Sequence, residues 1–187
     1  MSKIEIRPGR IADAPFIAKG VAMAIGDESI RFYCGEDYLS VLEGIAALEI
    51  SQYSYRNALI AEADGLAVGV AVSYDGGRLE ELRTPTLRHI FETVSKNHQI
   101  PDETGPGELY LDTLAVLPGF RGKGIGGMLI EATKERAKDL GLPAVGLLVD
   151  FDNATAQKLY AGHGFTQAGD GDFLGHPMHH LSFQVRS

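Results

Sequence analysis

The sequence predicts one mixed α/β domain, and three observations carry that reading. The chain has 187 residues, within the span of a single domain, and a chain of this size can bury about 70% of its unfolded surface. Stretches with alternating apolar residues take turns with stretches at helical spacing, most regularly in the second half. No linker, internal repeat or low-complexity segment divides the chain, so residues 1–187 form one domain.

Ile4 and Ile6 alternate with Lys3, Glu5 and Arg7, the pattern of a half-buried strand. Asp13 offers an N-cap, with Pro15 in the first turn, for a helix bearing Phe16, Ile17, Val21, Ala24 and Ile25. Residues 36–52 read as a second helix, with Leu39, Leu42, Ile45 and Leu48 at helical spacing. Two strands follow, Ala58–Ala63 and 67–74, joined by Asp64-Gly65, a short-hairpin signal. Asp75-Gly76-Gly77 ends the second of them. Residues 79–97 read as a helical segment interrupted at Thr84-Pro85, and 101–107 as a polar loop. Leu109–Val116 is a strand, 125–140 a helix and Ala144–Asp150 a strongly apolar strand. The long helix carries Ile125, Met128, Leu129 and Ala132 on one face, with Gly141 as its C-terminal cap and Pro143 beyond. Residues 153–162 form a short helix, Phe165 opens a strand, and 180–185 are the last strand.

Composition narrows the function classes. Hydrophobic content of 44% and charged content of 22% are those of a globular protein, and exclude disorder or a coiled coil throughout. The single cysteine, Cys34, leaves no intrachain disulfide and no thiolate zinc site. A formal charge of −8 argues against a nucleic-acid partner, whose phosphates require a basic surface. Met1 to Lys19 lacks the apolar core of a signal peptide, and no apolar run approaches the roughly 20 residues that span a bilayer. A soluble, cytoplasmic protein without membrane or nucleic-acid partners is the expectation.

One turn stands out. Arg121-Gly122-Lys123-Gly124-Ile125-Gly126-Gly127 lies between a strand and a helix. Glycines let a backbone approach a ligand, and free N–H groups at a helix start attract phosphate oxygens. From Arg121 to Lys138 five basic residues face only Glu131 and Glu135, within an acidic chain. A diphosphate ligand fits that contrast; a flexible turn before an ordinary basic helix end fits it equally. Gly122, Gly124 and Gly127 also satisfy the dinucleotide pattern G-x-G-x-x-G, with Asp150 closing the next strand. That reading fails on three counts. Leu117 to Arg121 separate the strand from the first glycine, the strand contains Asp112 and Thr113, and too little chain follows for further βαβ units.

These residues resemble the GNAT superfamily of acyl-CoA-dependent N-acyltransferases. Its signature, Arg/Gln-x-x-Gly-x-Gly/Ala, is met by Arg121, Gly124 and Gly126 after Leu114-Ala115-Val116, Pro118 and Phe120. The downstream family pattern, Asn-x-x-Ala-x-x-Leu-Tyr ending in Gly-Phe, is met by Asn153, Ala156, Leu159, Tyr160, Gly164 and Phe165. Two motifs in order and at the right spacing are far more specific than either alone. The resemblance implies a central mixed, mostly antiparallel sheet with splayed central strands, flanked by helices, and acetyl-CoA as co-substrate with no metal. It assigns Arg121, Gly122, Lys123, Gly124, Ile125, Gly126 and Gly127 to the coenzyme pyrophosphate. It assigns Leu114, Ala115 and Val116 to the pantetheine, with a bulge directing a backbone N–H at the thioester oxygen, and Asn153 and Tyr160 to the same ligand. Homodimers are frequent in the family.

Acetyl transfer to an amine requires a neutral amine, a stabilised oxyanion and a proton or hydrogen bond for the departing thiolate. Tyr160 is the family's candidate acid, and a phenol keeps its proton at neutral pH. Asn153 and Tyr160 are seven residues apart, so they share a helix face about 10 Å apart and one ligand can touch both. Packing of the Tyr160 ring at the helix end is the plainer alternative. For the base, strand alternation puts Tyr110, Asp112, Leu114 and Val116 on one side, making Asp112 the carboxylate nearest the expected coenzyme. Its alternative is a structural hydrogen bond; a water relay or Glu108, expected to be solvated at the start of the strand, would replace it as base. Cys34 lacks a histidine partner and reads as a packing residue. His176, His179 and His180 have no metal-ligand spacing and follow strand alternation. Tyr33, Tyr38, Tyr53 and Tyr55 lie in the helix-rich segment that covers the acceptor side in this family, where core packing suits most of them. The acceptor is the amine of a small molecule or peptide; the other function class is an acyl-CoA-binding regulatory module without turnover.

Overall fold

The alternating residues at the start of the chain form β1 (Ile4–Pro8); the structure, a computed structural model, describes residues 3–173 and 175–186. β1 pairs antiparallel with β2 (Ala58–Ala63), and β2 with β3 (Leu66–Asp75). Their hairpin turns at Asp64 and Gly65, with φ of 49° and 82°, the left-handed conformation that an Asp-Gly pair adopts readily in a two-residue turn. β4 (Leu109–Val116) adds antiparallel to β3, and β5 (Ala144–Asp150) lies parallel to β4. β6 (Thr166–Phe173) and β7 (His176–Gln184) form an antiparallel pair, with β7 against β5. Among the described residues these seven strands make one mixed, mostly antiparallel sheet in the order β1-β2-β3-β4-β5-β7-β6.

Helices cover both faces. α1 (Ala14–Ile25), α2 (Asp27–Cys34), α3 (Tyr38–Ala47) and α4 (Leu79–Val94) gather on one face, where Ile17, Val21, Leu42 and Ile45 pack against Ile60, Val70 and Val72. α5 (Ile125–Asp139) covers the other face, where Ile125, Leu129 and Ile130 meet Val68, Leu111 and Leu147. α6 (Ala154–Gly162) adds Leu159 and Tyr160 to that second core. Burying each Leu or Ile contributes about 1.5–3 kcal/mol, so the sheet is held from both sides. Among the described residues, no helix is long and apolar enough to cross a membrane.

Several boundaries differ from the sequence reading. α2 is additional, an eight-residue helix between Gly26 and Gly35, both at positive φ, that buries only Ile30 and Cys34. α3 stops at Ala47 rather than reaching residue 52, because the Ser51 and Ser54 hydroxyls take the Ile45 and Leu48 carbonyls at 2.8 and 2.6 Å. α4 runs unbroken through Pro85. A proline inside a helix costs about 3 kcal/mol, offset here by burial of Leu79, Leu82, Thr86 and Ile90. β7 begins four residues earlier than the expected 180, with Pro177 inside it, and Phe165 precedes its strand, buried in the α5 core. Asp13 stands at the N-cap of α1 without capping it; its carboxylate is held instead by Arg7 and the Arg10 N–H.

Two irregularities in β4 shape the centre of the sheet. Val72 pairs with Thr113 and Ser73 with Leu111, which leaves Asp112 as the extra residue of a β-bulge. The bulge breaks the alternation that would place Tyr110, Asp112, Leu114 and Val116 together. Tyr110 packs with Tyr74, Leu79 and Leu82 on the α4 side, whereas Leu114 and Val116 join the α5 core. Further, β4 and β5 pair only at Leu109–Val145 and Tyr110–Gly146, after which β5 continues against β7 alone. The parallel strands separate there, and the sheet opens at its middle.

Candidate active site

On the α5 side, β4 runs into a short turn, Pro118–Phe120, and then the glycine loop. Arg121 Nε donates to the Val116 carbonyl at 3.0 Å, pinning the loop to the strand end. Gly122 and Gly124 have φ of 75° and 78°, a region strained for any residue with a side chain, and no atom lies within 4 Å of where a Cβ would stand. Gly124 is the N-cap of α5 and no side chain caps that end. The first-turn N–H groups of Ile125, Gly126 and Gly127 therefore have no helical acceptor. Lys123 Nζ lies 4.8 Å from the Phe120 ring centre. This loop fits a diphosphate. Two of the three remaining basic residues are engaged elsewhere, which weakens the charge argument: Lys134 Nζ is turned inward to Glu131 and the His163 carbonyl, and Arg136 binds the Asn57 and Arg56 carbonyls.

Among the described residues, the β5-side edge of β4 has no strand partner beyond Tyr110, so the backbone of Leu114, Ala115 and Val116 borders the opening. At the start of α5, Gly124, Gly127 and Met128, with Leu159, His163, Glu131 and Ile6, line a largely apolar cavity of about 590 Å³. Asn153 is the N-cap of α6, its side chain accepting from the Ala156 N–H at 3.0 Å, so it stands just outside the helix whose face it was expected to share with Tyr160. Tyr160 packs 5.7 Å from Phe165, and burial pushes its hydroxyl up to about 12. It is a phenol that keeps its proton.

The bulge sends Asp112 to the opposite face, away from Leu114, which corrects the expected placement. There Tyr74 Oη donates to its Oδ2 at 2.9 Å and Thr113 Oγ1 to its Oδ1 at 3.1 Å. Burial, then the nearby Glu103 charge, pushes the Asp112 carboxyl up to about 7; the two hydrogen bonds and more distant Arg83 oppose that rise without cancelling it. A carboxylate with that proton affinity is suited to take a proton at neutral pH.

Glu108 is buried, not solvated. It accepts from Thr104 Oγ1 at 2.6 Å and from His180 Nε2 at 2.9 Å, and this contact raises the imidazole pKa. Gly146 leaves room for it, since a Cβ there would push the Glu108 carboxylate out of this position. With Glu103, Asp170 and Asp172, Glu108 and His180 line an acidic cavity of about 460 Å³, and Leu148 joins that cavity to the Tyr74–Tyr110 cluster. His179 stacks on Phe151 and binds Asp170. Among the described residues, no three His, Cys, Asp or Glu side chains are placed to hold a metal. Cys34 is buried and its thiol is pushed up to about 11 by burial, the state of a packing residue. Tyr33, Tyr38, Tyr53 and Tyr55 all pack against the α1–α4 core, and Tyr53 also feels the charge of Asp112.

Sequence reasoning missed Tyr74, Glu103, Gln52 and His180, which surround Asp112 and the acidic cavity. The available signal for Tyr74 was one aromatic closing an otherwise aliphatic strand.

Known proteins place this geometry in a family. The acetyltransferase (GNAT) family model matches residues 37–165. A solved acetyltransferase is 33% identical, superposes with a TM-score of 0.83, and is matched over 97% of this chain and 100% of its own. An N-acetyltransferase from Staphylococcus aureus Mu50 is 23% identical over 96% of this chain and 100% of its own, with a TM-score of 0.78. The fold is also that of yncA from Salmonella typhimurium, solved with its cofactor acetyl-CoA: 18% identity, 100% of this chain and 96% of that one, TM-score 0.60. No curated protein matches at a significant level. With the family model spanning most of the chain and a relative identical at one residue in three, the chain belongs to the GNAT acetyltransferase family.

Proposed function

We propose that the protein transfers an acetyl group from acetyl-CoA directly to the primary amine of a small molecule or peptide. The observation that carries this reading is the division of the site between the two faces of the opened sheet. The glycine loop and Tyr160 lie on one face, and Asp112, with its carboxyl at about 7, lies on the other. A ligand held by the loop along β4 would present its reacting end at the bulge, where an amine arriving from the acidic face meets Asp112.

The roles follow from the chemistry of each group. Ile125, Gly126 and Gly127 N–H groups hold the pyrophosphate, with Arg121 shaping the loop and Gly122, Lys123 and Gly124 completing it. The backbone of Leu114, Ala115 and Val116 aligns the pantetheine arm, and Asn153 fixes the start of α6. Acetyl-CoA, when bound, supplies the activated acyl group. Asp112 takes a proton from the arriving ammonium and leaves the amine neutral. The bulged backbone offers an N–H to the carbonyl oxygen, where negative charge develops. Tyr160 donates its proton to the departing thiolate and is restored by the second proton that the attacking nitrogen loses as the amide forms. The buried thiol of Cys34 takes no part, so the reaction passes through no acetylated enzyme.

Thiol release measured over a panel of amines and peptides with acetyl-CoA tests the proposal. Turnover with at least one amine and intersecting initial-rate plots support it. Tight acetyl-CoA binding with no release on any acceptor would favour a non-catalytic acyl-CoA-binding module, and kinetically competent acetylation of Cys34 would overturn direct transfer.

A further inference from the structure

Behind Asp112 stand two groups for which the mechanism above has no use. Tyr74, at the end of β3, donates to Asp112 Oδ2 at 2.9 Å, and its hydroxyl lies 3.4 Å from Glu103 Oε1. Gln52 Nε2 reaches both Tyr74 Oη and Glu103 Oε1, at 3.1 and 3.2 Å, and fixes their spacing. The other Glu103 oxygen is held by Arg83, a buried residue of α4 that also binds Asp102 and the Ile100 and Pro101 carbonyls. Tyr74 and Gln52 are buried, whereas Glu103 lines the acidic cavity. Asp112, Tyr74 and Glu103 thus form a line of exchangeable oxygens that crosses apolar packing and ends at that cavity.

We propose that Tyr74 and Glu103 are positioning residues that form a proton relay, emptying Asp112 after each turnover by passing its captured proton to the acidic cavity. The inference rests on reading Asp112 as the base. The step balances as follows. Asp112 gains an O–H as the ammonium loses an N–H. The Tyr74 hydroxyl, which donates to Asp112 at rest, turns to Glu103 Oε1; the Asp112 O–H then breaks as its proton bonds to Tyr74 Oη, while the original Tyr74 proton passes to Glu103 Oε1. Glu103 then yields the proton to solvent in the cavity, and no electrons are exchanged. One proton has moved from amine to solvent, and Tyr74 again donates to Asp112 as it does at rest, so all three side chains stand in their starting states.

The relay also sets the base. The charged groups acting on Asp112 are Glu103 from the loop after α4, which raises its proton affinity, and Arg83 from α4, which lowers it; the Tyr74 hydrogen bond lowers it too. Tyr53, Tyr74 and Tyr110 complete the surroundings, and burial keeps all three phenols neutral through the assay range. Opposite effects are therefore expected from the two relay members. Tyr74→Phe removes a bond that favours the carboxylate, so the acid limb of kcat/KM moves to higher pH. Glu103→Gln removes a neighbouring negative charge, so the limb moves to lower pH.

The test uses the full chain with acetyl-CoA and an accepted amine, recording pH profiles for wild type, Tyr74→Phe and Glu103→Gln. A carbon-13 NMR titration of the Asp112 carboxyl accompanies them, with no substrate present. Expected are limbs displaced in opposite directions, matching displacements of the carboxyl titration, and a fall in kcat of about tenfold or more in both variants with KM for acetyl-CoA unchanged. Tyr74→Phe keeps the ring against Tyr110, and Glu103→Gln leaves Arg83 its contacts to Asp102 and two carbonyls, so both variants retain a packed site. Wild-type kcat and unmoved titrations in folded variants would overturn the relay while leaving amine acetylation standing. If the wild type acetylates no amine, the proposed function fails, and the titration still decides: opposite displacements uphold the coupling and a common or absent displacement removes it.

Discussion

Replacing Asp112 with asparagine should make the protein more stable at pH 8 and less active. The side chain keeps its shape; its one amide oxygen still accepts from Tyr74 or Thr113, and its NH2 donates to the other hydroxyl, which turns to accept, so the change removes the charge and reverses one hydrogen bond. In the fold the carboxyl titrates at about 7, against about 3.9 in an unfolded chain. For an acid with a raised pKa, the folded state binds its proton more tightly than the unfolded state. The associated stability is fully present below about pH 4 and is lost as pH rises through about 7. Three decades of proton affinity at about 1.4 kcal/mol each give an upper bound of about 4 kcal/mol. Local relaxation around a partly exposed group reduces this to about 2 kcal/mol in practice. For a domain of this size 1 kcal/mol moves Tm by about 2–4 °C, so Asp112→Asn should melt about 4–8 °C higher than wild type at pH 8, with the gap closing towards pH 4.

Thermal or urea unfolding of both proteins across that range measures the difference. Carboxylates other than Glu103, which is coupled to Asp112, change in parallel and cancel. A gap of the same size at every pH, or a variant less stable at pH 8, would refute the placement of the charge. The same variant should lose activity most where free amine is scarce, and the defect should shrink as pH approaches the amine's own pKa. A pH-independent defect would assign Asp112 a positioning role instead.

Gly124→Glu introduces a side chain at φ 78° and a negative charge at the uncapped start of α5, so acetyl-CoA should no longer raise Tm by linkage; an unchanged affinity in the folded variant would remove the loop from the site. Tyr160→Phe keeps the contact with Phe165 but deletes the donor, and kcat should fall by roughly 10²–10⁴-fold with acetyl-CoA binding intact. A change within a few-fold, where chemistry limits turnover, would leave Tyr160 as a packing residue. Ser73→Ala removes a buried hydroxyl without a hydrogen-bond partner among the described residues, so urea unfolding should show stability equal to wild type or up by about 1 kcal/mol; a clear loss would reveal a partner for that hydroxyl.

Much of the sheet was legible because local patterns carried it. Ile4 and Ile6, the Asp64-Gly65 turn and the apolar run from Ala144 each point to one conformation, and the structure adopts it. The glycine loop was legible for a different reason: its constraint lies in the backbone of consecutive residues. What failed were features decided between segments distant in sequence. The end of α3 is set by two serine hydroxyls reaching back to its carbonyls. The Pro85 interruption was overridden by burial of the α4 face. Glu108 looked solvated until His180, seventy-two residues away, was brought against it. Period-two alternation could not show the bulge at Asp112, because the extra residue is defined only by its register with β3.

That single extra residue explains why the base and acid candidates need not compete for one surface. With unbroken alternation Asp112 would stand beside Leu114 on the α5 face, within the apolar core that holds Tyr160. An acid and a base on the same side would face the same end of a bound thioester. The bulge turns Asp112 through the sheet to Tyr74, Gln52 and Glu103, while the parting of β4 from β5 keeps both faces open to the same central gap. Under the proposed function the amine then approaches from the acidic side and the thiolate departs on the other. On the proposed reading, the charge that destabilises the fold by about 2 kcal/mol near pH 8 sits where β4 combines the bulge, the open strand edge and a hydrogen-bonded route to the acidic cavity.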